Sequence, residues 1–218
     1  NKGLSESDVI EAAKNAKLAG IRHIKLYFMV GLPWADSDYE AESIASLTLK
    51  VAELGFSSIK LSVNPLIPKP HTPMQYAPLK PPAELRRAVA LLKARLGRYG
   101  VKVEGLDPRR AAIQAALSLG DEGLCDALER AAKYGGGLGA WRRAAREAGV
   151  SFERYTAGRP VSSELPWEGA VDVGVDSAFL AAEYERASRA EPSPPCSPGC
   201  RRCGICAGGQ AEATQGRA

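Results

Sequence analysis

Histidine and methionine are scarce in this sequence, two of each in 218 residues, and aromatic residues make up only 6%. The two histidines, His23 and His71, lie far apart and neither belongs to an HExxH pattern. A Gly-rich phosphate loop and a Ser-His-Asp arrangement are also missing, and the acidic residues form no pair suited to acid-base catalysis. No apolar run reaches the roughly 18 residues that a membrane span needs. The opening "NKGLSESDVIEAAKNAKLAG" lacks a signal-peptide core. These absences remove membrane partners and export from the reading, and the expected location is cytoplasmic. An initiator Met is missing, so the chain is expected to be a fragment or a processed product. Charge of one sign does not dominate: 29 basic and 25 acidic residues give a net charge of +4. That balance permits an anionic partner without arguing for one.

Apolar residues make up 45% of the chain, enough for a real core. Cysteine is almost absent from the first 190 residues. Cys125 stands alone there, in a helical stretch, and is expected to be a small buried hydrophobe.

The first half of the chain reads as alternating helices and strands. Residues 5–19 form a helix, with Ser5 and Asp8 as a capping box and Gly20 just past its end. "IRHIKLYFMVG" (21–31) is a β-rich run, expected to be a strand buried on both faces. Ser37 and Glu40 suggest a second capping box, and Ile44, Leu47, Val51 and Leu54 recur on one helical face before Gly55. "SSIKLSVNPLI" (57–67) is the next strand. "GIRHIKL" and "GFSSIKL" repeat at an offset of 35 residues, the length of one helix-strand unit. A third unit places Leu85, Val89, Leu92 and Leu96 on a helical stripe ahead of the strand "YGVKVEG" (99–105). Helices alternating with strands predict an α/β fold with a parallel sheet.

Between the second and third units, residues 64–82 hold seven prolines, which exclude both helix and central strand. From about residue 107 the pattern becomes helical without strands. Asp107 is the N-cap and Pro108 the first turn of one helix. Further helices are expected near 121–134, 138–148 and 177–187, whereas 150–175 shows no firm period. "EPSPP" is a linker, and residues 207–218 are expected to be disordered.

Four segments carry possible chemistry. In "YFMVGLPWADSDYE" a strand ends at Gly31-Leu32-Pro33 and a capped helix follows. Gly31 allows close approach to the backbone, Pro33 fixes the turn, and the helix N-terminus attracts an anion. An ordinary βα turn would look the same. "SVNPLIPKPHTPMQ" brings His71 together with Asn64 and Lys69 after the end of a strand, where ligand sites of parallel α/β folds gather. His71 reads either as a ligand or proton-transfer group or as a surface hydrogen-bonding residue, and His23 as structural. The basic residues of "WRRAAR" (141–146) read as a solvated helix face or as a surface for RNA.

The most specific signal is "PPCSPGCRRCGICAGG", with Cys196, Cys200, Cys203 and Cys206 at C-x3-C-x2-C-x2-C. Clustered thiols in a reducing compartment bind metal more often than they form disulfides. Structural zinc usually takes two CxxC-like pairs across a longer loop. Tight runs of this kind match iron-sulfur ligation better, with zinc as the alternative. Gly199 and Gly204 allow turns that aim successive thiols inward.

"YFMVGLPWADSDYEAESIASL" followed by "IKLSVNPLIPKPHTPMQ" resembles the latter half of a radical S-adenosylmethionine (SAM) barrel. It is most similar to uncharacterised radical SAM proteins that carry an N-terminal cobalamin (B12)-binding domain. "DPRRAAIQAALSLGDEGL", "LPWEGAVDVGVDSAFLAAEYERA" and the closing C-x3-C-x2-C-G-I-C resemble that family's C-terminal region, so the likeness runs to about residue 206. The KPHTP motif and the Cys cluster are its most diagnostic parts. Where relatives carry a Gly-Glu-Thr-like sequence after Gly-Leu-Pro, this chain has Trp34-Ala35-Asp36.

The resemblance implies the C-terminal part of a partial (β/α)6 barrel over 1–106. A helical region over 107–190 and a Pro-rich linker with a Cys-rich metal-binding tail over 191–218 would follow. It implies SAM bound at a [4Fe-4S] cluster and cleaved to a 5′-deoxyadenosyl radical. The cluster's CxxxCxxC motif and any cobalamin domain would lie upstream, in the other half of the same polypeptide. Gly31 and Pro33 would pass near SAM, and the backbone of Val63, Asn64 and Pro65 could contact its adenine. The catalytic residues stay unassigned, and RNA is one substrate class that the likeness allows. "CSPGCRRC" copies the CxxxCxxC spacing, but it follows the barrel and carries a fourth Cys, so it is read as a separate site. The competing expectation is a zinc-binding module in which the tail, Arg201, Arg202 and the Trp141 helix grip RNA or a protein.

Overall fold

The computed structural model describes residues 3–208, so the expected disorder of 207–218 falls almost wholly outside the described residues. The chain forms two compact units. Among the described residues, a sheet unit comprises 3–67 and 79–114, and a helical unit comprises 68–78 and 115–208.

In the sheet unit the strands are β1 (His23–Val30), β2 (Ser58–Pro65) and β3 (Lys102–Glu104), parallel and in the order β1-β2-β3. The helices α1 (Glu6–Leu18), α2 (Ser37–Ala52) and α3 (Pro82–Gly97) alternate with them. The α/β class and the parallel sheet follow the sequence pattern. The 35-residue echo has a direct structural meaning, because β1 and β2 pair with that same offset, Ile24 beside Ile59 and Leu26 beside Leu61. Two helix-strand units of equal length place equivalent residues side by side in the sheet.

One face of the sheet is apolar. Ile24, Leu26, Phe28 and Val30 of β1 join Ile59, Leu61 and Val63 of β2 in a core with Ile44 and Val51 of α2 and Leu85, Leu92 and Leu96 of α3. The other face is uncovered within this unit, so β1 is not buried on both sides. Its residues alternate, with His23, Lys25, Tyr27 and Met29 exposed, Tyr27 at 70% and Met29 at 60%. The strand's mostly apolar composition misled because Tyr27 and Met29 face outward. On this open face Lys25 of β1 pairs with Glu104 of β3 at 2.7 Å, spanning β2 where Ser62 is buried.

Other expectations shift in detail. The Ser5–Asp8 capping box of α1 is present. For α2 the cap is Asp36, whose Oδ1 accepts from the Asp38 and Tyr39 N–H groups. Ser37 is instead fully buried and donates to Glu84 Oε1 at 2.7 Å. The buried stripe of α3 is Leu85, Ala88, Leu92 and Leu96, while Val89 is only half-buried. Pro108 opens α4 (Pro108–Leu119), and Asp107 Oδ1 accepts from the Arg109 N–H.

The helical unit contains α5 (Cys125–Lys133), α6 (Leu138–Glu147), the short α7 (Phe152–Thr156), α8 (Ser177–Ser188) and a final turn, α9 (Ile205–Gly208). Two small apolar clusters hold it. One joins Tyr76, Leu119, Leu165, Trp167 and Leu180, and the other joins Ala116, Leu124 and Tyr155. Cys125 is exposed, against expectation. The 3₁₀ turn Glu122–Leu124 sets the helix phase so that Leu124 and Ala127 point inward and Cys125 does not. Among the described residues no helix is long and apolar enough to cross a membrane.

Candidate functional site

At the C-terminal edge of the sheet the register aligns Met29 with Asn64 and Val30 with Pro65, so Gly31 and Pro33 lie just beyond the pair. The structure therefore brings Gly31, Pro33, Val63, Asn64 and Pro65 to one end of one sheet. Pro33 occupies the second position of a turn closed by the Ala35 N–H on the Leu32 carbonyl, 3.1 Å, a place that its fixed φ suits. Gly31 has φ +90°, and a Cβ there would sit 2.7 Å from Leu85 Cδ2. The glycine is thus required by backbone conformation and core packing.

The amides of this turn already have an anion. Glu40 accepts from the Gly31 N–H at 2.7 Å through one carboxylate oxygen and from the Leu32 N–H at 3.1 Å through the other. Reading Glu40 as half of a capping box missed this, since the partner lies nine residues back across a turn. Asp36 holds the helix N-terminus itself. Its carboxyl is held below the usual range, chiefly by the Tyr39 N–H.

Val63 and Asn64 point to opposite faces. Val63 is buried on the helix-covered side, while Asn64 lies on the open side and accepts from the Leu106 N–H at 2.9 Å. The segment after β3 runs so close to β2 that a Cβ on Gly105 would stand 1.8 Å from the Val63 carbonyl oxygen. Around this crossing lies a cavity of about 510 Å³, walled by Val63, Val89, Ala90, Leu106 and Pro108 and bordered by Arg86 and Lys93. This cavity explains why Val89 leaves the buried stripe. Nothing in the sequence pattern marked Gly105.

His71 lies in the helical unit and has φ +56°, unusual for a residue with a Cβ. Its N–H donates to Gln75 Oε1 at 2.9 Å, and the same oxygen accepts from Trp167 Nε1 at 3.1 Å. Thr72 Oγ1 donates to the Lys69 carbonyl, and Lys69 Nζ to Ser118 Oγ. The KPHTP motif is therefore a tight turn locked by Gln75, which is 1% exposed. His71 also borders a smaller cavity of about 240 Å³ with Glu168, Asp172 and Ser177.

The four tail thiols are all free, Cys196 and Cys206 exposed and Cys200 and Cys203 half-buried. The charge of Cys200, then burial, then the charges of Cys206 and Cys203 raise the pKa of Cys196. Cys200 moves the opposite way. The Arg202 N–H, and then its guanidinium at 3.3 Å from the sulfur, favour the thiolate. Gly199 and Gly204 both have positive φ, as the turns between thiols require. Among the described residues no three or more His, Cys, Asp or Glu side chains stand close enough together to hold a metal ion. The thiols form a neighbourhood of soft donors, suited to zinc or an iron-sulfur centre once drawn together.

No family model matches this chain, and no solved structure matches it. An uncharacterized protein of Methanocaldococcus jannaschii is 33% identical over 128 residues, covering 59% of this chain and 28% of that protein. The match therefore spans well under a third of that relative's length.

Proposed function

We propose that this chain is the C-terminal part of a radical SAM enzyme. In this reading its sheet is part of a partial (β/α)6 barrel over 1–106, completed by the upstream half of the same polypeptide. The observation that carries the reading is the uncovered sheet face. A parallel sheet with helices on one side only, and Tyr27, Met29 and Asn64 on the other, is how one wall of a barrel looks when seen alone. The sequence likeness over the Gly-Leu-Pro turn and the Pro-rich loop supports it. A [4Fe-4S] cluster with SAM, held mainly by upstream residues, would supply radical chemistry, with cobalamin from a further upstream domain. This chain's own contribution would be the backbone of Leu32–Pro33 and the side chain of Asn64. Gly31 and Val63 serve packing, and the Glu40 carboxylate holds the turn in shape. The tail is a separate iron-sulfur or zinc site. The substrate class is open to RNA, and the location is the cytoplasm.

The full polypeptide, purified anaerobically and reconstituted with iron and sulfide, should cleave SAM under reduction. Intact, cluster-loaded protein without SAM cleavage would falsify the enzyme reading. The competing zinc module draws less support. Arg202 is occupied by the Pro194 and Pro195 carbonyls and Cys200, and Trp141 packs edge-on to Phe152 with ring centres 6.0 Å apart.

A further inference from the structure

The cysteine tail does not hang from a free linker. The Asp176 N–H donates to the Cys203 carbonyl at 2.9 Å. Gly204 packs so closely that a Cβ there would lie 3.2 Å from the Gly174 carbonyl oxygen and 3.7 Å from Asp176 N. The Ile205 side chain reaches the same Gly174. Ser193, in the Pro-rich segment, bonds to Glu183 of α8. All these residues belong to the helical unit.

Asp176 is also the N-cap of α8. Its Oδ1 accepts from the Ala178 N–H at 2.8 Å and its carbonyl from Leu180 N at 3.2 Å. One residue therefore caps the helix with its side chain and grips the tail with its backbone. The tail buries little apolar side chain in doing so, because Arg201, Arg202 and Ile205, which stand between its cysteines, are all exposed. Backbone contacts of this kind do not by themselves offset the entropy of ordering a dozen residues. A metal centre would supply what is missing, since its binding free energy becomes folding free energy when the site is absent from the unfolded chain.

We propose that Cys196, Cys200, Cys203 and Cys206 together hold one thiophilic centre, a Zn(II) ion or a preformed iron-sulfur cluster. Loading it fixes the N-terminal end of α8 through Asp176. The inference rests on reading the tail as a metal site and is independent of the enzyme assignment. Each thiol releases its proton and displaces a ligand already on the metal, a water from Zn(II) or a carrier thiolate from a preformed cluster, and no change of oxidation state is needed. Gly199 and Gly204 sit between ligands and let the chain turn as the thiols close on the metal. Arg202, bonded to Cys200 and to two carbonyls of the proline segment, orients the first loop from outside.

The test uses the full polypeptide, stripped of metal and then given either Zn(II) alone or a preformed [4Fe-4S] cluster under anaerobic conditions. Metal content is measured beside hydrogen exchange of the Asp176, Ala178 and Leu180 amides. Tail occupancy is the difference in bound metal between this protein and a variant in which Cys196, Cys200, Cys203 and Cys206 are all replaced by alanine. One of the two centres should bind stoichiometrically, and exchange at those amides should slow roughly tenfold or more. Cys206→Ser should lower both occupancy and protection. Ile205→Ala, which leaves every thiol in place, should keep the metal and lose part of the protection. Failure to take up either centre overturns the metal reading of the tail. Uptake with unchanged exchange at α8 overturns the coupling alone. Full occupancy in Cys206→Ser overturns the four-thiol set. SAM cleavage is scored separately and bears on none of these outcomes.

Discussion

The sheet unit and the helical unit are held together by different forces. The sheet unit has one continuous apolar core in which Leu61, Leu85, Leu92 and Leu96 are fully buried. The helical unit has two small clusters, and its order depends on single polar residues such as Gln75 and Asp121, the latter accepting from Tyr155 and the Gly123 N–H. An apolar core spreads stability over many contacts. A polar junction concentrates it, because a buried donor stripped of its partner costs more than the bond contributed. The first kind of unit should be damaged in proportion to volume, and the second should be damaged abruptly at a few positions.

The comparison breaks first at Gly105. Gly105→Ala forces a methyl to 1.8 Å from a backbone oxygen, and neither chain can give way without parting β3 from β2. The expected loss is about 3 kcal/mol or more, seen as a collapsed midpoint in chemical denaturation. Leu92→Ala, at a site with 0% exposure, should cost about 2–5 kcal/mol in the same assay. In the helical unit Gln75→Leu keeps the volume but strands the Trp167 and His71 N–H groups. A cost of about 1–3 kcal/mol is expected for each group left buried and unpaired, with altered tryptophan fluorescence as the local signature. A penalty at Gln75 below that of an ordinary surface change would remove the contrast between the units.

Acid sharpens the comparison further. The Arg109 guanidinium and N–H lower the Asp107 carboxyl from 3.8 to about 2. Its contribution to stability is complete above pH 3.8 and is lost as pH falls toward 2. Asp107→Asn retains a helix cap while removing the titration, so the variant should be less stable at pH 7 and should converge on the parent as pH falls toward 2, which makes acid unfolding less steep between those limits. The smallest effect is expected at Lys133. Its pair with Glu129 is solvent-exposed, and Lys133→Ala should leave the denaturation midpoint unmoved within error.

Much of the sheet unit was legible because its signals are local and periodic. The 35-residue echo marked two helix-strand units of equal length, Ser5 and Asp8 foretold a cap, and Pro33 foretold a turn. The helical unit was less so. Residues 150–175 lack a period because the chain there is ordered by distant partners, Tyr76 on Arg159 and Gln75 on Trp167. The site was half legible. Gly31, Asn64 and the four cysteines were visible as residue types, whereas Glu40, Gly105 and Gln75 act through partners that no spacing rule connects.

By itself, then, the amino-acid sequence determined the alternation of helices and strands, the parallel pairing and the grouping of four thiols within eleven residues. Those follow from short-range rules, in which side-chain period, capping and turn chemistry act over a few residues. Tertiary structure alone decided which sheet face stays open, that Gly31 yields its space to Leu85, that Cys125 faces solvent, and that the tail is bound to the cap of α8. Each of these depends on what another segment brings to the same place, and alternation within one strand or helix carries no record of that neighbour.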